Sequence, residues 1–301
     1  MMATIESPVL QTITPVTHDL GAFKVRRSLP TRERTMVGPF IFVDEFGPAR
    51  LPAGQGMDVR PHPHINLATV TYLFEGAIEH RDSIGSHQVI EPGAINLMTA
   101  GRGIVHSERS PQELRPDGPS LYGMQTWLAL PDGREEVEPA FDHVATDGLP
   151  LVEESGSRAR VLMGTLWGAT AATRCDSPTI YADIELEGGS IPIDADADER
   201  AAMLVGGEAE LDGEPLELFT LYVLRPGHAA RLSSTGTARL MLMGGGAFST
   251  PRHVFWNFVS SSRERINQAK EDWKAMRMPL PPGDDREFIP LPEVPKTVSY
   301  P

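Results

Sequence analysis

The stretch RPHPHINLATVTYLFEGAIEHRDSIGS, residues 60–86, decides how the rest of the chain reads. LATVTYLF (67–74) is a short run of β-branched and aromatic residues, and GAIEHRDS (76–83) follows it after a glycine; such runs, bounded by Gly or Pro, read as strands of a hairpin. Just before them stands His62-Pro63-His64. On a strand, residues i and i+2 point to the same face, so the two imidazoles project side by side into one space.

Outward from this stretch the same texture continues. GAFKVRRSLP and VGPFIFVDEFGPA within 20–50 read as short strands, and 51–60 (LPAGQGMDVR) as a loop. After the turn at Pro92–Gly93 come AINLMTA and LYGMQTWLALP. Residues 131–150 are polar and turn-rich and read as an inter-domain connection. Strand-like runs resume as RARVLMGTLWG, TIYADIELEGG, AAMLVGGEAEL, LFTLYVL, HAARLSS and ARLMLMGG. The best helix is SSSRERINQAKEDWKAM (260–276), capped by Ser260, Ser261 or Ser262, with Ile266, Ala269, Trp273 and Met276 on one face. The proline-rich tail PLPPGDDREFIPLPEVP reads as extended chain lying across another surface. With 301 residues, 28 Gly and 27 Pro, the chain suits two all-β domains, expected at 1–140 and 141–301, the second including the helix and tail.

Two stretches resemble distant copies. LFEGAIE (73–79) with Pro92–Gly93 parallels LVGGEAE (204–210) with Pro226–Gly227. Aligning the glycines sets His62 and His64 against Ile193 and Ala195, and His106 and Glu108 against Leu240 and Leu242, so the second barrel is expected to lack ligands.

Charge and cysteine usage exclude several classes. A net charge of −14 disfavours direct binding to nucleic acid or anionic lipid, while leaving a protein partner open. The single Cys175 forms no intrachain disulfide and fits no cysteine-based metal spacing, which points to a reducing, cytoplasmic setting. The N-terminus lacks the pattern of a secretory signal, and no apolar run is long enough to span a membrane. MTAGRGIV (98–105) lacks the strand–loop–helix setting of a phosphate loop. DADADER (194–200) lacks the glycine and glutamate of a calcium loop and reads as a solvated acidic loop.

The chemistry rests on His62, His64, His106 and Glu108. His106-Ser107-Glu108 repeats the i, i+2 device on another strand. If the two strands are neighbours, three nitrogens and one oxygen converge, a set suited to Fe(II), Mn(II), Ni(II), Cu(II) or Zn(II) with open coordination positions. Taken singly, a His-x-His pair is more often decoration. A structural zinc is the rival reading, but such sites normally use cysteines. His80 and His87 read first as members of a solvated hairpin and second as neighbours of the site. Met98, Gln125 and Trp127 are candidate lining residues that barrel core would explain equally well.

The runs 60–86 and MTAGRGIVHSER (98–109) closely resemble the pirin family of the cupin superfamily, and YGMQTWLALP, LMGGGAF, INQAKEDW and DDREFIPLP extend the resemblance over nearly the whole chain. It implies a bicupin: two antiparallel, jelly-roll-like β-barrels in tandem with a C-terminal helix. It further implies one metal in the N-terminal barrel, Fe(II) first, with Mn, Ni, Cu, Co or Zn as alternatives, held by His62, His64, His106 and Glu108. The glutamate that follows the His-x-His in many cupins falls on Ala68 here, so Glu108 supplies the carboxylate. Two roles are implied. One is a quercetin 2,3-dioxygenase-like oxidoreductase acting on a flavonol or related aromatic enol, with Glu108 as the base. The other is a non-catalytic, metal-dependent redox sensor that binds a protein partner.

Overall fold

A computed structural model of the chain describes residues 7–19, 23–293 and 297–298. They form two all-β units, each built from a seven-stranded and a four-stranded sheet. One unit takes in the chain up to Val16, Met36–Phe40 and Asp147–Ala247; the other takes in Thr17–Thr35, Ile41–Thr146 and the chain from Phe248 onward. The expected single division at 140/141 therefore differs from how the chain packs. Strand Val9–Ile13 pairs with Leu221–Leu224 in the later barrel, whereas the C-terminal helix joins the earlier one.

In the histidine-bearing unit, strand Leu67–Gly76 lies between Ile95–Thr99 and Ser120–Ala129 in the large sheet. The small sheet runs in the order Asp58–His64, Ile104–Arg109, Ile78–Asp82, His87–Ile90. Phe46, Leu73 and Leu121 from the large sheet meet Ile78 and Ile90 from the small one, so the core fills the space between the sheets. Asp58–His64 is an edge strand, which is where a strand carrying Pro61 and Pro63, neither with an N–H to donate, can stand. Expected as loop, residues 58–60 are the start of this strand. Likewise, the expected connection 131–150 contains strand Ala140–Val144, which pairs with Ile95–Thr99 and belongs to this barrel.

The helix spans Arg263–Lys274. Ser262 is its cap, accepting from the Arg265 amide, and Ile266, Ala269 and Trp273 are buried. Met276 is instead exposed: the chain has left the helix and turned to a φ of 52° there. The helix packs with Phe255 and Phe258 against Ile65 and Val105, each next in sequence to a site histidine. The tail runs back over the same unit, where Ile289 donates its amide to the Pro61 carbonyl and Arg109 holds Asp284 and Glu287.

The later unit repeats the plan, with Glu199–Gly207 in the place of Leu67–Gly76. Gly76 and Gly207 have φ of 88° and 73°, and a Cβ on either would collide with a backbone carbonyl oxygen of the neighbouring strand, that of Ser120 or Thr237. The second pair of turns is not equivalent. Pro92–Gly93 precedes the large-sheet strand Ile95–Thr99, while Pro226–Gly227 follows the large-sheet strand Leu221–Leu224. The counterparts of the two histidine strands in the repeat are therefore Ser190–Ile193 and Ala230–Ser233, which pair with each other, not a strand holding Leu240 and Leu242. They bring Ile191, Ile193, Ala230 and Leu232 into the apolar core, and none of these carries a donor atom. The acidic run 194–200 also differs from a simple loop. Glu199 and Arg200 belong to a strand, and the buried Arg200 donates to the carbonyls of Asp194 and Arg225.

Candidate metal centre

Antiparallel pairing sets His106 opposite His62 and Ile104 opposite His64. The alternation of the strands then carries all three imidazoles to the inner face of the small sheet. Between His106 and Glu108 the register slips, so that Glu108 faces Val59. Each of the three histidines offers a ring nitrogen within 4.8 Å of the others, and each is buried. The centroids of His62 and His106 are 4.4 Å apart, and those of His64 and His106 are 4.9 Å apart.

Backbone carbonyls orient two of the rings. His62 Nδ1 lies 2.9 Å from the Arg60 oxygen and His64 Nδ1 lies 3.1 Å from the Asn257 oxygen. A carbonyl can only accept, so both Nδ1 atoms carry hydrogen and both Nε2 atoms keep bare lone pairs. His64 Nε2 stands 3.1 Å from His106 Nε2. Burial lowers the pKa of His62 to about 4, and it pushes His64 and His106 well below the usual imidazole range. Neutral imidazoles with converging Nε2 lone pairs are what a divalent transition-metal ion requires, so the residues present fit such an ion.

Glu108 stands outside this tight cluster of three. It is buried, and burial is the main cause that raises its pKa. Gln125 donates to Glu108 Oε1 at 3.3 Å, and the Gln125 side-chain oxygen accepts from Thr71 at 2.7 Å. Trp127 stands edge-on to His64 at 5.0 Å and stacks on Phe42 at 4.0 Å. Of the candidate lining residues, Gln125 and Trp127 thus meet the site, while Met98 is buried in strand Ile95–Thr99.

His80 corrects the hairpin reading. It is 3% exposed and stacks on Phe141 at 4.5 Å. Its Nδ1 lies 3.4 Å from His106 Nδ1 and its Nε2 lies 3.0 Å from Asp82 Oδ2. The i, i+2 spacing of His80 and Asp82 signals only that the two share a face, and strand pairing sets them opposite Glu108 and His106. His87, by contrast, is exposed and pairs with Glu79. No helix among the described residues is long and apolar enough to cross a membrane.

Comparison with known proteins agrees with this architecture. Residues 22–128 match the model of the Pirin family, and residues 181–279 match that of the Pirin C-terminal cupin domain. A pirin-like protein of Caulobacter vibrioides is 48% identical over 279 residues, covering 91% of this chain and 96% of that protein. The crystal structure of a quercetin 2,3-dioxygenase from Acinetobacter baumannii superposes with a TM-score of 0.88 at 32% identity, covering 97% of each chain. A bacterial pirin from Escherichia coli, solved in complex with nickel(II), shares the fold at 18% identity with a TM-score of 0.63, covering 78% of this chain and 98% of that one. With both barrels matched and the histidine cluster in the first of them, this chain belongs to the pirin family of bicupins.

Proposed function

We propose that the protein is a metal-dependent oxygenase that opens flavonols, with iron held by His62, His64, His106 and Glu108. The observation that carries this reading is the convergence of three buried imidazoles whose orientation leaves Nε2 lone pairs facing one another. The likeness to a quercetin 2,3-dioxygenase supports the substrate class. Three nitrogens and one carboxylate leave coordination positions open, and iron combines affinity for this donor set with accessible redox states.

A bound ion of this kind supplies Lewis acidity toward adjacent oxygens and a path for electrons to dioxygen. The chain's own residues do the rest. His62, His64 and His106 present fixed lone pairs. Glu108, its pKa raised by burial, is a carboxylate suited to taking the hydroxyl proton of an enol. Gln125, itself held by Thr71, orients the Glu108 carboxyl, and Trp127 with Phe42 forms an aromatic wall beside His64.

The test is aerobic incubation of iron-loaded protein with quercetin, following flavonol absorbance. Turnover is expected, and it is expected to vanish in His62→Ala together with bound iron. Fully iron-loaded protein that leaves quercetin and other flavonols untouched would overturn the reading.

A further inference from the structure

His80 and Asp82 touch the histidine cluster from outside, and they complete a pattern of hydrogen positions. Asp82 is wholly buried on strand Ile78–Asp82, and its Oδ1 accepts from the amides of Ile84 at 3.1 Å and Ser86 at 2.9 Å. A carboxylate held by two backbone donors presents its other oxygen as a fixed acceptor. That oxygen, Oδ2, lies 3.0 Å from His80 Nε2, which therefore carries the hydrogen. In the neutral ring His80 Nδ1 is then a bare acceptor, and it faces His106 Nδ1 at 3.4 Å. His106 donates from Nδ1 and keeps Nε2 bare toward His64 and His62. The opposite assignment fails at both ends. A hydrogen on His80 Nδ1 would force the hydrogen of His106 onto Nε2, where it would block an ion, and would leave Asp82 facing a second lone pair.

We propose that the chain from Asp82 through His80 to His106 is a positioning relay that fixes the metal-binding tautomer of His106. The proposal rests on reading the three imidazoles as a metal centre. His62 and His64 are oriented by backbone carbonyls, whereas His106 alone depends on side chains. Position 80 therefore controls one ligand of the three without touching the ion. Phe141, stacked on the His80 ring at an interplanar angle of 22°, holds the plane of the relay. Packing alone would be satisfied by an apolar ring there. A buried imidazole with a buried carboxylate is costly to desolvate unless its hydrogen bonds are made.

The test compares the unsubstituted protein with His80→Phe, which keeps the stacking ring, and His80→Gln, whose amide can accept from His106 and donate to Asp82. Cobalt(II) is titrated in competition with a chelator while its visible spectrum is recorded. His80→Phe is expected to bind roughly 10–100-fold more weakly, with an altered spectrum, and His80→Gln to recover most of the loss. Equal affinity and an identical spectrum in folded His80→Phe, or a His80→Gln as weak as His80→Phe, would overturn the relay. Should His80→Phe fail to fold, long-range proton–nitrogen NMR of the unsubstituted zinc(II)-loaded protein decides. Hydrogen on Nδ1 of His106 and on Nε2 of His80 is expected, and hydrogen on Nδ1 of His80 overturns the proposal. Unsubstituted protein that takes up neither ion would overturn the metal reading itself, whereas tight binding indifferent to position 80 removes only the relay.

Discussion

Glu45 sits wholly buried with Oε2 on the Arg26 guanidinium, and burial outweighs that ion pair, raising its pKa to about 7. The folded-state value lies above the ordinary 4.5, so the associated stability is fully present below about pH 4.5 and lost as pH rises toward 7. Each unit of difference is worth about 1.4 kcal/mol, so the swing is about 3 kcal/mol. Glu45→Gln, which does not titrate, is expected to gain about that much relative to the native protein between pH 4.5 and 8, read from denaturant unfolding at several pH values. A constant difference between the two proteins would contradict it. Glu108 gives a second prediction at this scale. Burial lowers the pKa of His62 to about 4 and pushes those of His64 and His106 the same way, while it favours the protonated form of Glu108 in the ion-free centre. Metal uptake is expected to release protons from Glu108, and Glu108→Gln to reduce both that release and the affinity. Calorimetry in buffers of different ionisation enthalpy measures it.

At the scale of elements, the helix Arg263–Lys274 acts on the centre through the backs of the histidine strands. Trp273 is 1% exposed, donates its indole N–H to the Ile289 carbonyl, and shares a core with Ile65 and Val105. Trp273→Ala is expected to cost about 3–5 kcal/mol in unfolding free energy. Ser262→Ala removes only the cap and is expected to cost about 1 kcal/mol. Denaturant curves that rank the two the other way would show that the helix is not docked as described. The hairpin glycine gives an independent check. Gly76→Ala combines a positive φ with a collision against the Ser120 carbonyl, and a loss on the order of 1–3 kcal/mol is expected in the same measurement.

For the whole molecule, each barrel is completed by a distant part of the chain. Residues from Phe248 onward supply the Asn257 carbonyl that orients His64 and the buried Arg252, which donates to Leu130 and Asp132. Ending the chain after Ala247 is expected to abolish metal binding. Amide exchange in Leu67–Gly76 should become fast, while Glu199–Gly207, whose partners Leu221–Leu224 and Thr237–Gly245 remain, stays protected. Exchange that accelerates equally in both strands would contradict this division.

The strand texture, the two repeats and the common face of His62 and His64 were legible in the sequence, because strand alternation and i, i+2 spacing are local rules that few other contacts override, whereas His106 joins them through the pairing of Asp58–His64 with Ile104–Arg109. The apolar character of the second barrel was legible too, although the wrong strand was matched to it. Pro92–Gly93 and Pro226–Gly227 look alike yet occupy different turns. Three features belonged to the tertiary structure alone: the exchange of chain ends between barrels, the burial of His80 and Asp82, and the carbonyls of Arg60 and Asn257 that set the tautomers. Each depends on a partner chosen by global packing. His64 and Asn257 are 193 residues apart, and no local period encodes a contact across that distance.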